Sequence, residues 1–324
     1  MVHLNRRKLM AASLASVLAQ STWAQSLPST ARILVGFPPG SGPDLAARQL
    51  GLALTGKLAS VAVVENRTGA SGNIAVSAAL SAAPDGMTLL SNPSGVMTVN
   101  PHIFRKLAFS PFTDLTPIST TCRYELALAV GPAVPESVMT LTDFSDWTRQ
   151  QRQPVAYGSS GGSLYLLGYA FGRSQKLDLI HVPYRGAGPM LVDIQAGQVP
   201  AGTGSLPALM AQAGSGKLRV LASTGSARSR FFPSVPTFEE QGVHGLAMRE
   251  WHGIYVAGKP TLEVIARLVT LVQAAVNLPS FVEAMGKMGF EAAASSPEEL
   301  DRLARSDSER WGEIVKASGF VQEN

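Results

Sequence analysis

Residues 35–50, "VGFPPGSGPDLAARQL", decide the fold class. Val35 closes an apolar, strand-like run, the Gly/Pro-rich stretch after it breaks the strand, and the spacing from Asp44 onward is that of an amphipathic helix. Strand, glycine loop and helix start, in that order, gather backbone N–H groups and the positive end of a helix at one point. That arrangement suits an anion. In open α/β sheets such loops lie beyond the carboxyl ends of the strands, where ligands bind.

The same design recurs in "ENRTGASGN" (65–73), "SNPSG" (91–95) and "YGSSGGS" (157–163). Strands are expected over 33–36, 61–64, 88–91, Leu126–Val130, 155–157, 179–182 and 218–223. Helices are expected over 44–58, 72–81, 141–150, 163–174, 189–196 and Leu206–Ala213. This alternation argues for mostly parallel sheets flanked by helices on both faces. Extended apolar segments follow polar loops at 120–130 and again at 249–256, and between them lies a unit of lobe size. After Pro260 the chain is strongly helical, with Ser296 and Pro297 ahead of Glu298 and Glu299 marking a helix start. The expectation is two α/β lobes with two hinge crossings. Residues 25–124 and 250–324 form the first, with the C-terminal helices returning to it, and residues 125–249 form the second.

Composition narrows the function. The 324 residues are 45% hydrophobic and only 15% charged, with 31 Gly and 21 Pro, a tightly turned α/β composition. Arg6, Arg7 and Lys8 precede an apolar run over 9–18, and Thr22 and Ala24 place small residues at a cleavage site. Residues 1–24 therefore read as a secretory signal cleaved near Ala24, with either the Sec or the twin-arginine route open. The apolar run is about half the length of a membrane anchor. Its removal takes away three positive and no negative side chains, and the formal charge falls from +4 to +1. No Lys/Arg cluster remains, so a nucleic-acid partner is not expected. Cys122 is the only cysteine, so an exported chain has no internal disulfide and relies on its core. A periplasmic monomer is expected.

Several chemistries are argued against. There is no G-x-x-x-x-G-K-[ST], and in "GSGPD" Asp44 stands where a dinucleotide fingerprint needs its third glycine, so no nucleotide cofactor is expected. His102, His181, His244 and His252 lack metal-ligand spacing, so no metal is expected either. One match remains. Gly158 to Gly162 reads G-x-S-x-G, with Asp193 and then His244 or His252 available in triad order, which leaves a secreted serine hydrolase using Ser160 as the alternative. In so glycine-rich a stretch such a match arises easily by chance.

Taken in order, "GFPPGSGPDLAARQLGLALTGKL", "VAVVENRTGASGNIAVSAALSAAPDGMTLL", "VAYGSSGGSLYLLGYAF", "IHVPYRGAGPMLVDIQAGQV" and "LASTGSARSRFFPSVPTFEEQG" resemble the signatures of the Bug family. These are the TctC-like extracytoplasmic solute receptors of tripartite tricarboxylate transporters. The resemblance runs from about Arg32 to the C-terminus. It implies a two-lobed Venus-flytrap periplasmic-binding-protein fold and no catalysis. It implies a small carboxylate ligand (a di- or tricarboxylate, an aromatic acid or an amino acid), passed to the membrane components of such a transporter. A ligand sensor without a transporter stays open.

The resemblance also implies a site that grips with backbone N–H groups, hydroxyls and bridging waters. Phe37, Gly40, Ser41, Gly42 and Asp44 would come from the first loop and Asn92 and Ser94 from the third. Ser159, Ser160 and Ser163 would follow from the fourth, and Tyr184, Gly186 and Asp193 from "HVPYRGAGPMLVD". Plainer roles stand beside these: Phe37 as lobe packing, Ser163 or Asp44 as helix caps, Asp193 as a helix-start residue. Departures from the family pattern are Ser41 in place of a glycine, Thr203-Gly204-Ser205 in place of an acidic or amide residue, and Arg185 where lysine is usual.

Overall fold

Apolar strands separated by glycine turns assemble into two sheet-centred bodies. The computed structural model describes residues 27–318 and 320; the signal-like stretch at 1–24 lies outside them. The first sheet contains β1 (Thr30–Val35), β2 (Val61–Asn66), β3 (Thr88–Pro93), β4 (Leu115–Tyr124), β10 (Glu250–Ala257) and β11 (Glu291–Ala292), in the order β11-β4-β10-β3-β1-β2. The second contains β5 (Leu126–Val130), β6 (Val155–Ser159), β7 (Leu179–Pro183), β8 (Ala201–Ser205) and β9 (Arg219–Ser223), in the order β7-β6-β8-β5-β9.

Each sheet is mixed, and the chain path explains why. β1 pairs in parallel with β2 and β3, and β6 with β7 and β8, as strand–helix–strand units require. The antiparallel strands are those that carry the chain between bodies. β4 and β5 form one passage interrupted only by Glu125, and β10 returns antiparallel to both β3 and β4. β5 in turn lies antiparallel to β8 and β9. All of β5 ("LALAV") is buried, as a continuous apolar run covered on both faces should be, and so is all of β10, which carries Glu250 and His252 inward.

The helices are α1 (Gly42–Leu54), α2 (Asn73–Leu80), α3 (Ser94–Thr98), α4 (Asn100–Ile103), α5 (Leu141–Arg149), α6 (Gly162–Ser174), α7 (Ala187–Gln195), α8 (Leu206–Ala213), α9 (Leu262–Val276), α10 (Pro279–Lys287) and α11 (Pro297–Ser318). α1 starts earlier than its apolar spacing suggests because Pro43 fits the first turn, where no N–H is needed. It stops at Thr55 because Gly56 then turns with φ +73°. Ile33, Val35, Leu50 and Leu89 centre the first core, and the stacked rings of Phe144 and Phe171 beside Phe238 centre the second.

The last helix touches both bodies. Trp311 and Val315 of α11 pack with Val99 and Ile103 on one side and with Leu166 of α6 on the other. Trp251 at the start of β10 anchors it further, its Nε1–H donating to Asp307 Oδ2 at 2.7 Å. Sequence pattern placed this helix on the first body alone; only the tertiary structure shows it bridging the two.

Candidate ligand-binding cleft

The first loop is shaped by Asp44. Its carboxylate accepts the Gly40 N–H (2.8 Å), Arg48 Nε (2.9 Å) and Asn66 Nδ2 (2.8 Å), while Asn66 Nδ2 also donates to the Phe37 carbonyl (2.9 Å). Burial alone would raise this carboxyl, but the hydrogen bonds from Arg48, Asn66 and Gly40 hold it below its usual value. Ser41, at the N-cap of α1, turns its hydroxyl back to the Pro38 carbonyl (2.6 Å) and so does not cap with it. The loop leaves β1 at Gly36, where a Cβ would lie 2.6 Å from the Gly72 Cα; two backbones meet there, and only glycine fits.

From the second body comes the turn between β6 and α6. The helix begins at Gly162, so Gly161 is its N-cap and Ser163 lies inside its first turn. A Cβ on Gly95, at the start of α3, would lie 2.7 Å from Ser163 Oγ, so the two bodies are in contact at this point.

Between the bodies lies a cavity of about 80 Å³. Four helix N-termini converge on it: α1 through Ser41, Gly42 and Pro43, α6 through Gly161, Gly162 and Ser163, α7 through Gly186 and Ala187, and α8 through Ser205 and Ala208. The first-turn N–H groups of a helix have no intrahelical acceptor, and its dipole puts positive charge there. Tyr124, His252 and Phe290 form an aromatic wall, with ring centroids 5.1 to 5.9 Å apart. Among the described residues no Lys or Arg lines the cavity, and Glu250 is its one acidic lining residue.

Phe37, Ser41, Gly42, Ser160, Ser163 and Gly186 line this space. Ser94 sits just behind it, close to the Trp251 N–H (3.4 Å). Gly40, with φ +78°, shapes the loop and faces the outer side. Ser159 is tied to His181 Nε2 (2.8 Å), a histidine that burial holds at about 4 and hence neutral. Tyr184 donates its hydroxyl to Asp193 (2.7 Å), and neither reaches the cavity; nor do Asp44 and Asn92. Thr203 is buried and donates to the Leu164 carbonyl (2.7 Å), whereas Gly204 and Ser205 face the cavity. Arg185 is exposed. The triad suggested by G-x-S-x-G is not assembled, because Asp193 bonds Tyr184, His244 bonds Glu239 at the surface, and His252 faces Cys122 through Nδ1 with Nε2 bonded to nothing.

Lining residues that sequence reading did not assign to the ligand site include Asn100, Tyr124, Glu250, His252 and Phe290. Glu250 is 3% exposed and accepts from the Ser94 and Ser163 hydroxyls, the Gly95 N–H and the Tyr124 hydroxyl. Burial raises its carboxyl above the usual range against the pull of those hydrogen bonds. Burial likewise pushes His252 down to about 3, so its ring is neutral, with Nδ1 3.4 Å from the buried Cys122 thiol and Nε2 without a partner. Among the described residues no group of three His, Cys, Asp or Glu side chains is placed to hold a metal ion.

Residues 46–320 match the family model described as the tripartite tricarboxylate transporter family receptor, TctC. The chain belongs to the TctC receptor family. This TctC receptor is similar to the protein BugT of Bordetella pertussis, 29% identical over 289 residues that cover 89% of each chain. It superimposes on an R. palustris protein solved with adipate (TM-score 0.86, 28% identity, 93% of this chain and 100% of the other). It also shares its fold with the periplasmic binding protein BugD (TM-score 0.84, 24% identity, 91% and 99% covered). MatC from Rhodopseudomonas palustris, solved with bound malate, has the same fold (TM-score 0.82, 24% identity, 89% and 99% covered).

Proposed function

We propose that this TctC receptor is a periplasmic solute-binding protein that closes its two lobes around a small organic carboxylate and presents it to the membrane components of a tripartite tricarboxylate transporter. One observation carries the reading: helix N-termini from both bodies converge on a cavity between them that, among the described residues, no Lys or Arg lines. A carboxylate there is held by preorganised N–H groups and hydroxyls, whose full value appears only when both lobes engage it. Ligand therefore favours the closed form, a differential affinity that biases a hinge equilibrium. Adipate in one relative and malate in a protein of the same fold support a carboxylate ligand. Residues 25–124 with 250–324, and residues 125–249, are the moving bodies, and residues 1–24 direct export.

The test uses the chain lacking residues 1–24 in thermal denaturation with mono-, di- and tricarboxylates, aromatic acids and amino acids. A ligand that binds only the folded chain raises the melting temperature. We expect at least one acid to do so and its methyl ester not to. If no carboxylate raises it at millimolar concentration, the reading fails. Export predicts a periplasmic protein beginning at Gln25, read by intact mass.

A further inference from the structure

Glu250 carries a carboxyl that is almost wholly buried. Buried charges are normally paired, yet among the described residues no Lys or Arg pairs with it, and its four partners are neutral donors. The nearest influence of like sign is Asp307, behind it. The second odd group is Asn100, 1% exposed. Its Nδ2 donates to the Ser71 carbonyl (3.1 Å) and to Asn73 Oδ1 (2.7 Å). The backbone carbonyl fixes the orientation of the amide, which leaves Oδ1 as a buried acceptor without a donor. Both groups line the cavity, and both flank the first turn of α6: Glu250 through Ser163, and Asn100 Oδ1 at 3.0 Å from where a Gly162 Cβ would stand.

A carboxylate held by helix N-termini uses donors. Beside the first turn of α6, what remains unmet is one acceptor and one buried carboxyl; His252 Nε2, on the aromatic wall, is a further unpartnered group. A second ligand carboxylate near Glu250 would set two acidic groups against each other, an unfavourable juxtaposition. A ligand ammonium answers both demands, pairing with the buried charge and donating to Asn100 Oδ1. We propose that the ligand is a zwitterion with one carboxylate and one ammonium, a small amino acid, and that Glu250 and Asn100 form the ammonium subsite that discriminates it from dicarboxylates. The inference rests on the carboxylate-receptor reading and adds a specificity element to it. Glu250 does so from the return crossing, where the strand enters the first sheet.

The test is calorimetric titration of the chain lacking residues 1–24 with matched pairs that differ only in the amino group: alanine and propionate, leucine and 4-methylpentanoate, phenylalanine and 3-phenylpropionate, with succinate and malate as dianions. At least one amino acid should bind about 10- to 100-fold more tightly than its deamino partner and than either dianion, the range of one charge-assisted contact. Glu250→Gln should reduce that ratio to within about threefold by weakening the amino acid alone. A deamino acid or a dianion that binds as tightly as the best amino acid overturns the proposal, and so does a panel in which no amino acid binds at 10 mM. Should Glu250→Gln not fold, the matched-pair ratio on the wild-type chain decides by itself. Amino-acid methyl esters separate the two readings: an ester that binds as tightly as its free acid removes the carboxylate reading and leaves the ammonium subsite standing.

Discussion

Arg249 Nε lies 3.1 Å from Glu125 Oε1, so the two segments that cross between the bodies are joined to each other by one ion pair. Glu125 is the single residue between β4 and β5, and Arg249 immediately precedes β10. Arg249 also reaches Glu291 of β11, which fastens the crossing to the first sheet. The pair therefore ties the two crossing segments to each other and to the first sheet. Arg249→Gln leaves the buried Glu125 carboxylate without its cation, and solvent at the half-exposed arginine reduces the penalty to about 1–2 kcal/mol. A double-mutant cycle with Glu125→Gln, read by thermal denaturation, should show non-additivity; additive effects would separate the pair from hinge stability.

Gly95 decides whether the lobes can meet. Gly95→Ala places a methyl 2.7 Å from Ser163 Oγ, and moving Ser163 aside costs its hydrogen bond to Glu250. The expected result is a folded chain of nearly unchanged melting temperature whose ligand affinity drops at least about tenfold, the effect of one lost charge-assisted contact. Small-angle scattering with saturating ligand should report a larger radius of gyration than for the wild type. Unchanged affinity would mean that closure does not pass through this contact.

Asp44 and Ser41 belong to one loop but differ in consequence. Asp44→Ala removes the acceptor for Gly40, Arg48 and Asn66 together, and with Arg48 half exposed the expected loss is about 2–3 kcal/mol of stability. Ser41→Ala removes one hydroxyl bond to Pro38, about 1 kcal/mol. Chemical denaturation of the two variants tests the ratio; equal losses would show that Asp44 does not organise the loop.

The buried histidines make stability depend on pH. His252 is held at about 3 and His181 at about 4, against an ordinary value of 6.5. Below pH 6.5 the unfolded chain takes up protons that the folded chain refuses, so stability present above 6.5 is lost as the pH falls toward the folded values. Glu250, with a raised carboxyl, runs the other way, and its contribution is lost as pH rises through its folded value. Melting temperatures from pH 7 to pH 5 should fall, and His252→Asn should flatten that fall. A variant with the wild-type slope would remove His252 from the account.

Local chemistry made much of the fold legible. Leu126–Val130 and Leu206–Ala213 end where their apolar runs and turn residues end, and α1 differs from its expected span only through Pro43 and Gly56. Strand direction was less legible. Alternating strands and helices suggested mostly parallel sheets, but β5 and β10 run antiparallel because they carry the crossings, and apolar content carries no record of direction.

The sequence by itself determined which loops carry bare backbone to a helix N-terminus, because glycine, proline and helix-start signals act within a few residues. Ser41, Gly42, Ser160 and Ser163 lie in loops found in that way, Gly186 follows from the family resemblance, and all of them line the cavity. Tertiary structure alone decided the rest. Asp44 and Asp193 turn inward to Gly40 and Tyr184, since a carboxylate at a helix start bonds whichever donor packing brings to it. Glu250 reads in sequence as an ordinary polar residue at the start of a strand. It becomes the acidic wall of the cleft only because β10 returns between β3 and β4 and carries it against Ser94 and Ser163, which belong to opposite bodies.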